Sequence, residues 1–167
     1  MSDRIYFMNT KFHKTNAMRL LDSAGISYCT ASYEVDENDL SGIHVAAQLN
    51  QPVEQVFKTL VLKGERTGHL VCCIPSQCEL DLKKAAYVAV DKKVEMIPVR
   101  TLVATTGYMR GGCSPLGMKK SFPTYIDETA ILFDEIAISA GVRGMQIIVN
   151  GEALARLLNA QLVDLCL

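Results

Sequence analysis

The amino-acid sequence predicts a mixed α/β protein: a single domain whose mixed, largely antiparallel or barrel-like sheet is flanked by helices. Three observations carry this expectation. The chain has 167 residues, the size of one ordinary domain. Its apolar fraction of 49% against 21% charged residues is enough for a sizeable core, which excludes a disordered or fibrous chain. Apolar runs of strand length, some joined by short glycine-bearing turns, alternate with segments of helical spacing, which argues against a purely parallel sheet.

Each element has a local reason. Thr15 is placed to cap a helix whose Ala17, Leu20, Leu21 and Ala24 follow helical spacing, and Gly25 stands where a glycine ends one. Residues 26–33 alternate loosely as a strand and run into the acidic stretch Glu34-Val35-Asp36-Glu37. A short helix is expected over 42–49, closed before Pro52. The strongest strand is 56–62, joined through the turn 63–68 to a second apolar strand, 69–74, as a hairpin. Asp81 caps a helix running to Tyr87, residues 93–97 read as a strand, and Pro98 opens a helix ending before Gly107. Strands are expected over 123–127, 131–139 and 145–149. Asn150 caps a last helix, with Leu154, Leu157, Leu158 and Leu162 as its apolar stripe. No internal repeat, linker or low-complexity tract divides the chain.

Composition also limits function. Seventeen basic residues against eighteen acidic ones leave a formal charge of −1, so nucleic acid is not gripped by bulk charge; such a partner needs a local site or a helper protein. The six cysteines, Cys29, Cys72, Cys73, Cys78, Cys113 and Cys166, contain no C-x-x-C pair, and His13, His44 and His69 form no ligand pattern. No metal site and no disulfide framework are therefore expected. Residues 1–10 lack the charged-then-apolar order of a signal peptide, and no run approaches the roughly 18 apolar residues of a membrane span. A soluble protein of a reducing cytoplasm is expected.

Two places carry candidate chemistry. Lys58 sits in a strand that is apolar on both faces, so it must snorkel to the strand end, pair with a carboxylate, or serve a site as a cation for a phosphate or a carbonyl. The second is the loop Gly111-Gly112-Cys113-Ser114-Pro115-Leu116-Gly117. Gly112 and Gly117 have the outer spacing of a Walker A loop. Met118 replaces its lysine, however, and Pro115 removes a cradling N–H, so no nucleotide P-loop is formed. The loop is either a structural turn or a stiff turn with amides aimed at an oxyanion. Cys113 as a nucleophile needs a histidine base in space, and Ser114 lacks a G-x-S-x-G elbow. Arg143, in the turn 140–144, either holds a substrate or is solvated.

Taken in order, Phe57-Lys58-Thr59-Leu60, Gly107-Tyr108, the loop 111–117 and Ser139-Ala140-Gly141-Val142-Arg143-Gly144 resemble the YbaK/EbsC family of aminoacyl-tRNA deacylases, relatives of the editing insertion domain of bacterial prolyl-tRNA synthetase. The resemblance runs from about residue 15 to 164 and is strongest toward the Cys-tRNA(Pro) deacylase branch, including Tyr33-Glu34-Val35-Asp36. It implies one editing domain that clears mischarged tRNA without metal, cofactor or enzyme nucleophile, with aminoacyl-tRNA as substrate and prolyl-tRNA synthetase as partner. For cysteine it implies that the substrate's own thiol attacks its carbonyl. Lys58 matches the family's essential lysine, and Gly111 and Gly112 open the loop that faces the carbonyl. Tyr33, Thr59, Cys113, Ser114, Pro115, Ser139, Gly141 and Arg143 are the implied substrate-binding residues. Around Ile43-His44 relatives often carry an acidic residue, so His44 departs from the pattern. Amino-acid choice within the family follows pocket volume, which no motif here reads. A non-catalytic module that binds aminoacyl-tRNA or a synthetase is the alternative reading.

Overall fold

The computed structural model describes residues 13–167, so the reading of residues 1–10 lies outside it. Local capping sets the helices. Thr15 accepts from Met18 N at the head of α1 (Asn16–Ser23), and Gly25 follows it at φ +68°. Ser41 accepts from His44 N to start α2 (Gly42–Gln48). Asp81 accepts from Lys83 N and Lys84 N to start α3 (Leu82–Val88). After Pro98 a 3-10 turn, Val99–Thr101, leads into α4 (Leu102–Thr106), which ends at Gly107. Asn150 accepts from Ala153 N at the head of α5 (Gly151–Leu158).

The strands are β1 (Tyr28–Ser32), β2 (Phe57–Gly64), β3 (Gly68–Pro75), β4 (Val94–Met96), β5 (Thr124–Asp127), β6 (Ile136–Ser139), β7 (Met145–Val149) and β8 (Gln161–Val163). They form a three-stranded sheet, β1-β7-β6, and a five-stranded sheet, β4-β2-β3-β5-β8. Pairing is antiparallel except for β3 with β5 and β5 with β8. The two sheets meet where Val56 bridges Ala137 in parallel, which sets β6 beside the start of β2. The mixed, largely antiparallel architecture expected from the hairpins is the one found.

The main core fills the space enclosed by these elements with Val61, Val71, Cys73, Ile126, Ile138, Ile147 and Leu154. A second cluster, including Leu62, Leu70, Cys72, Ile74 and Ala85, lies on the opposite face of β2 and β3. Burial of β3 on both faces is why its sequence reads as an unbroken apolar run. Burial also pushes the Cys72 and Cys73 thiols up to about 12, so both act as small hydrophobes. Truncating a fully buried residue such as Ile138 to Ala costs about 2–5 kcal/mol.

Two expectations are corrected. The strand expected over 131–139 begins only at Ile136, because Asp127 accepts from Thr129 N and starts a 3-10 turn, Glu128–Leu132. Leu162 does not lie on the last helix. Asn159 turns the chain through the left-handed region at φ +51°, and Leu162 then pairs with Ile126 in β8.

Candidate active site

β2 pairs with β4 only from Leu62 onward, and the residue just before β2, Val56, bridges Ala137 of β6. Between these points its edge is open, and a cleft of about 310 Å³ lies along it, lined by each residue from Val56 to Leu60. The start of α2 with its preceding residues Leu40 and Ser41 forms one wall. Arg110, Gly111 and Cys113 of the glycine loop form another, and Tyr33, Ser139 and Gln146 come from the small sheet and its edge.

Lys58 stands opposite Ile74 in the β2–β3 ladder, half-buried, and its Nζ donates to Ser76 O at 3.1 Å. Ser76 is itself fixed, since its N and its Oγ both donate to Val56 O, at 2.8 and 2.7 Å. α2 closes tightly on it: a Cβ at Gly42 would lie 1.9 Å from Ser76 Oγ. No ion pair among the described residues includes Lys58. The ammonium is thus aimed into the cleft by one carbonyl and keeps donor capacity for a ligand.

The glycine loop is held from behind. Gly111 adopts φ +84°, which favours glycine, and Gly112 N donates to Met109 O at 2.9 Å to close the turn. A Cβ at Gly112 would meet Val142 C and Arg143 N at 3.1 Å, so the loop packs on the β6–β7 turn. Arg143 Nε clamps the two together by donating to Arg110 O at 2.8 Å, with its guanidinium 3.9 Å from Glu37. Ser114 is fully buried and accepts from Leu116 N at 3.3 Å. Gly141, at φ +96°, leaves room for the Tyr108 ring, which a Cβ would approach to 2.9 Å.

Of the residues singled out from sequence, Lys58, Tyr33, Thr59, Gly111, Cys113 and Ser139 line this cleft. Gly112, Ser114, Pro115, Gly141 and Arg143 do not; they set the shape of the loop and the turn behind it, and Pro115 borders a separate groove. The Gly112 amide is spent within the turn, while Gly111 and Cys113 on either side of it line the cleft.

Cys113 has neither requirement of a thiol nucleophile. Burial pushes its thiol up to about 11, only partly offset by a hydrogen bond with Thr106. No histidine lines the cleft: His44 has Nδ1 3.9 Å from Asp39, and His69 packs against Phe122 with ring centroids 5.5 Å apart. Among the described residues no group of three or more His, Cys, Asp or Glu side chains is gathered as for a metal ion. No helix among them is long and apolar enough to cross a membrane.

The sequence reasoning passed over Ser76, Arg110 and Gln146. Gln146 is 5% exposed, and its Oε1 has no hydrogen-bond partner among the described residues. Leaving such an atom unpaired costs about 1–3 kcal/mol. The available signal was one polar residue inside the otherwise apolar strand Met145–Val149.

The model of the aminoacyl-tRNA editing domain family matches residues 41–157, a span that contains β2, the glycine loop and the β6–β7 turn. The chain belongs to this family. A relative from Enterococcus faecalis, which carries the provisional name Cys-tRNA(Pro)/Cys-tRNA(Cys) deacylase EbsC, is 47% identical over 152 residues, 91% of this chain and 93% of its own. Among solved structures, a candidate trans-editing enzyme for prolyl-tRNA synthetase matches with a TM-score of 0.80 at 22% identity, covering 91% of this chain and 95% of that one. A hypothetical protein matches at 0.82 and 16% identity, over 90% and 99% of the two chains. At those identities the structural likeness is one of fold.

Proposed function

We propose that this editing-domain protein is a free-standing deacylase that hydrolyses the ester between a wrongly attached amino acid and the terminal adenosine of tRNA, with Cys-tRNA(Pro) as its principal substrate. The observation that carries the reading is the Lys58 ammonium, seated on Ser76 O in a cleft whose lining contains no carboxylate. It has hydrogen-bonding capacity to spare and lies in the same cleft as the loop residues Gly111 and Cys113.

The chemistry follows from what the site holds and lacks. It offers no activated nucleophile, so it works by positioning and by stabilising charge on the carbonyl oxygen. Lys58 holds the phosphate or ribose end of the terminal adenosine, and the loop amides face the carbonyl. With cysteine attached, the substrate's sulfur attacks its own carbonyl carbon and the ester C–O bond breaks. The thiol proton passes to the departing ribose oxygen, and water opens the released thiolactone. Tyr33, Thr59 and Ser139 bound the amino-acid end. A cleft of about 310 Å³ suits a small aminoacyl group and part of the ribose. A net charge of −1 leaves much of the tRNA grip to a partner, for which prolyl-tRNA synthetase is the natural candidate. The setting is the cytoplasm, where tRNA is charged.

The test is hydrolysis of Cys-tRNA(Pro) and Ala-tRNA(Pro) by the wild type and Lys58→Ala. The expected result is clearance of Cys-tRNA(Pro) by the wild type alone. Clearance of neither substrate, with or without prolyl-tRNA synthetase, would instead assign the cleft to binding without turnover.

A further inference from the structure

We infer that Gln146 is a recognition residue for the α-amino group of the aminoacyl moiety; this rests on the deacylase reading above. Gln146 lies in the centre strand of the small sheet, opposite Ser139 in β6 and Ala31 in β1. Its side chain lines the same cleft as Lys58, yet its Oε1 is buried without a partner. A buried amide left open on one side is kept for a ligand or bears a cost without return.

Donor and acceptor counting identifies the ligand group. The acceptor end of an aminoacyl-tRNA brings acceptors in excess: carbonyl, ribose and phosphate oxygens. The cleft answers these with donors, namely Lys58, Arg110 and the loop amides. Within the aminoacyl moiety, the α-ammonium is the one group that only donates. It must enter a site that already contains two cationic side chains and no lining carboxylate. Gln146 Oε1 supplies a buried acceptor with no competing claim. The terminal torsion of a glutamine is broad, so the amide oxygen can turn toward the cleft without strain. A neutral amide also receives the amine in either protonation state.

The experiment compares Cys-tRNA(Pro) with 3-mercaptopropionyl-tRNA(Pro), which keeps the thiol and the ester but lacks the α-amino group. The wild type is expected to prefer the cysteinyl substrate by roughly 10- to 100-fold in kcat/KM, the size of a hydrogen bond to a charged group. Gln146→Met, similar in shape and without the acceptor, is expected to lose that factor on Cys-tRNA(Pro) only, bringing the preference close to one. Gln146→Glu, which keeps an acceptor, is expected to retain the preference. An equal loss on both substrates, or a preference that survives Gln146→Met, would overturn the assignment and make the residue structural or a thiol contact. A wild type that hydrolyses neither substrate would sink the deacylase reading itself, and this inference with it.

Discussion

At the hairpin end of β2 the Asp91 carboxylate accepts from Thr67 Oγ1 at 2.7 Å, Thr67 N at 2.8 Å and Arg66 N at 3.0 Å. These bonds, led by the Thr67 hydroxyl, hold its carboxyl well below the usual carboxylate range. At the other end of the same strand, Lys58 has one carbonyl for its three protons, and nearby Gln146 Oε1 has no partner. One end satisfies its charged group from within the chain, although it lies at the surface. The other leaves polar groups open, although they are more enclosed. Stability requires closed polar groups, whereas a site requires open ones, so the contrast separates structure from function along a single strand.

The comparison can be broken at either end. The largest effect is expected from Lys58→Ala, a fall in deacylation of about 10²-fold, because a terminal adenosine no longer held leaves the ester misplaced against the loop. Single-turnover hydrolysis of Cys-tRNA(Pro) measures it. Gly112→Ala comes next. Its Cβ meets the backbone of Val142 and Arg143 at 3.1 Å, so the loop must move at a cost of about 1–3 kcal/mol. A thermal melt should show Tm lower by roughly 2–10 °C, together with slower turnover.

At the hairpin end, Asp91→Asn should lower Tm modestly at neutral pH and leave deacylation unchanged. Because the folded carboxyl titrates below its unfolded value, its contribution is full above about pH 4 and is lost as pH falls further. The gap between wild-type and variant melting curves should therefore be constant near neutrality and narrow in acid; a gap that widens in acid would reverse the assignment. The smallest effect belongs to Cys113→Ala, which should retain most activity. With its thiol near 11, Cys113 should also react slowly with an alkylating agent at pH 7.

How much of this was legible follows from where each determinant lies in the chain. Thr15, Asp81 and Asn150 cap helices through neighbours three residues away or fewer, so those helix starts could be read locally. Lys58 and the glycine loop stood out because each breaks its local pattern. β8 was missed because three residues form a strand only when β5 is there to pair with them. Arg143 was singled out as a substrate-binding residue, but its contact with Arg110 O spans the fold, so its place as a clamp behind the loop could not be read from the turn alone. Ser76 and Gly42 were invisible for the same reason: their importance is a close approach between β3 and α2. Gln146 did carry a signal, but a lone glutamine in a strand reads equally as an outward-facing residue.

The most direct test of the contrast measures melting and Cys-tRNA(Pro) hydrolysis together in Lys58→Ala and Asp91→Asn. The account predicts a crossed result: Lys58→Ala loses turnover while keeping its melting temperature, and Asp91→Asn melts earlier while keeping its turnover. If Lys58→Ala instead lost stability in proportion to activity, Lys58 would belong to the fold and the open end of β2 would not be a reaction site.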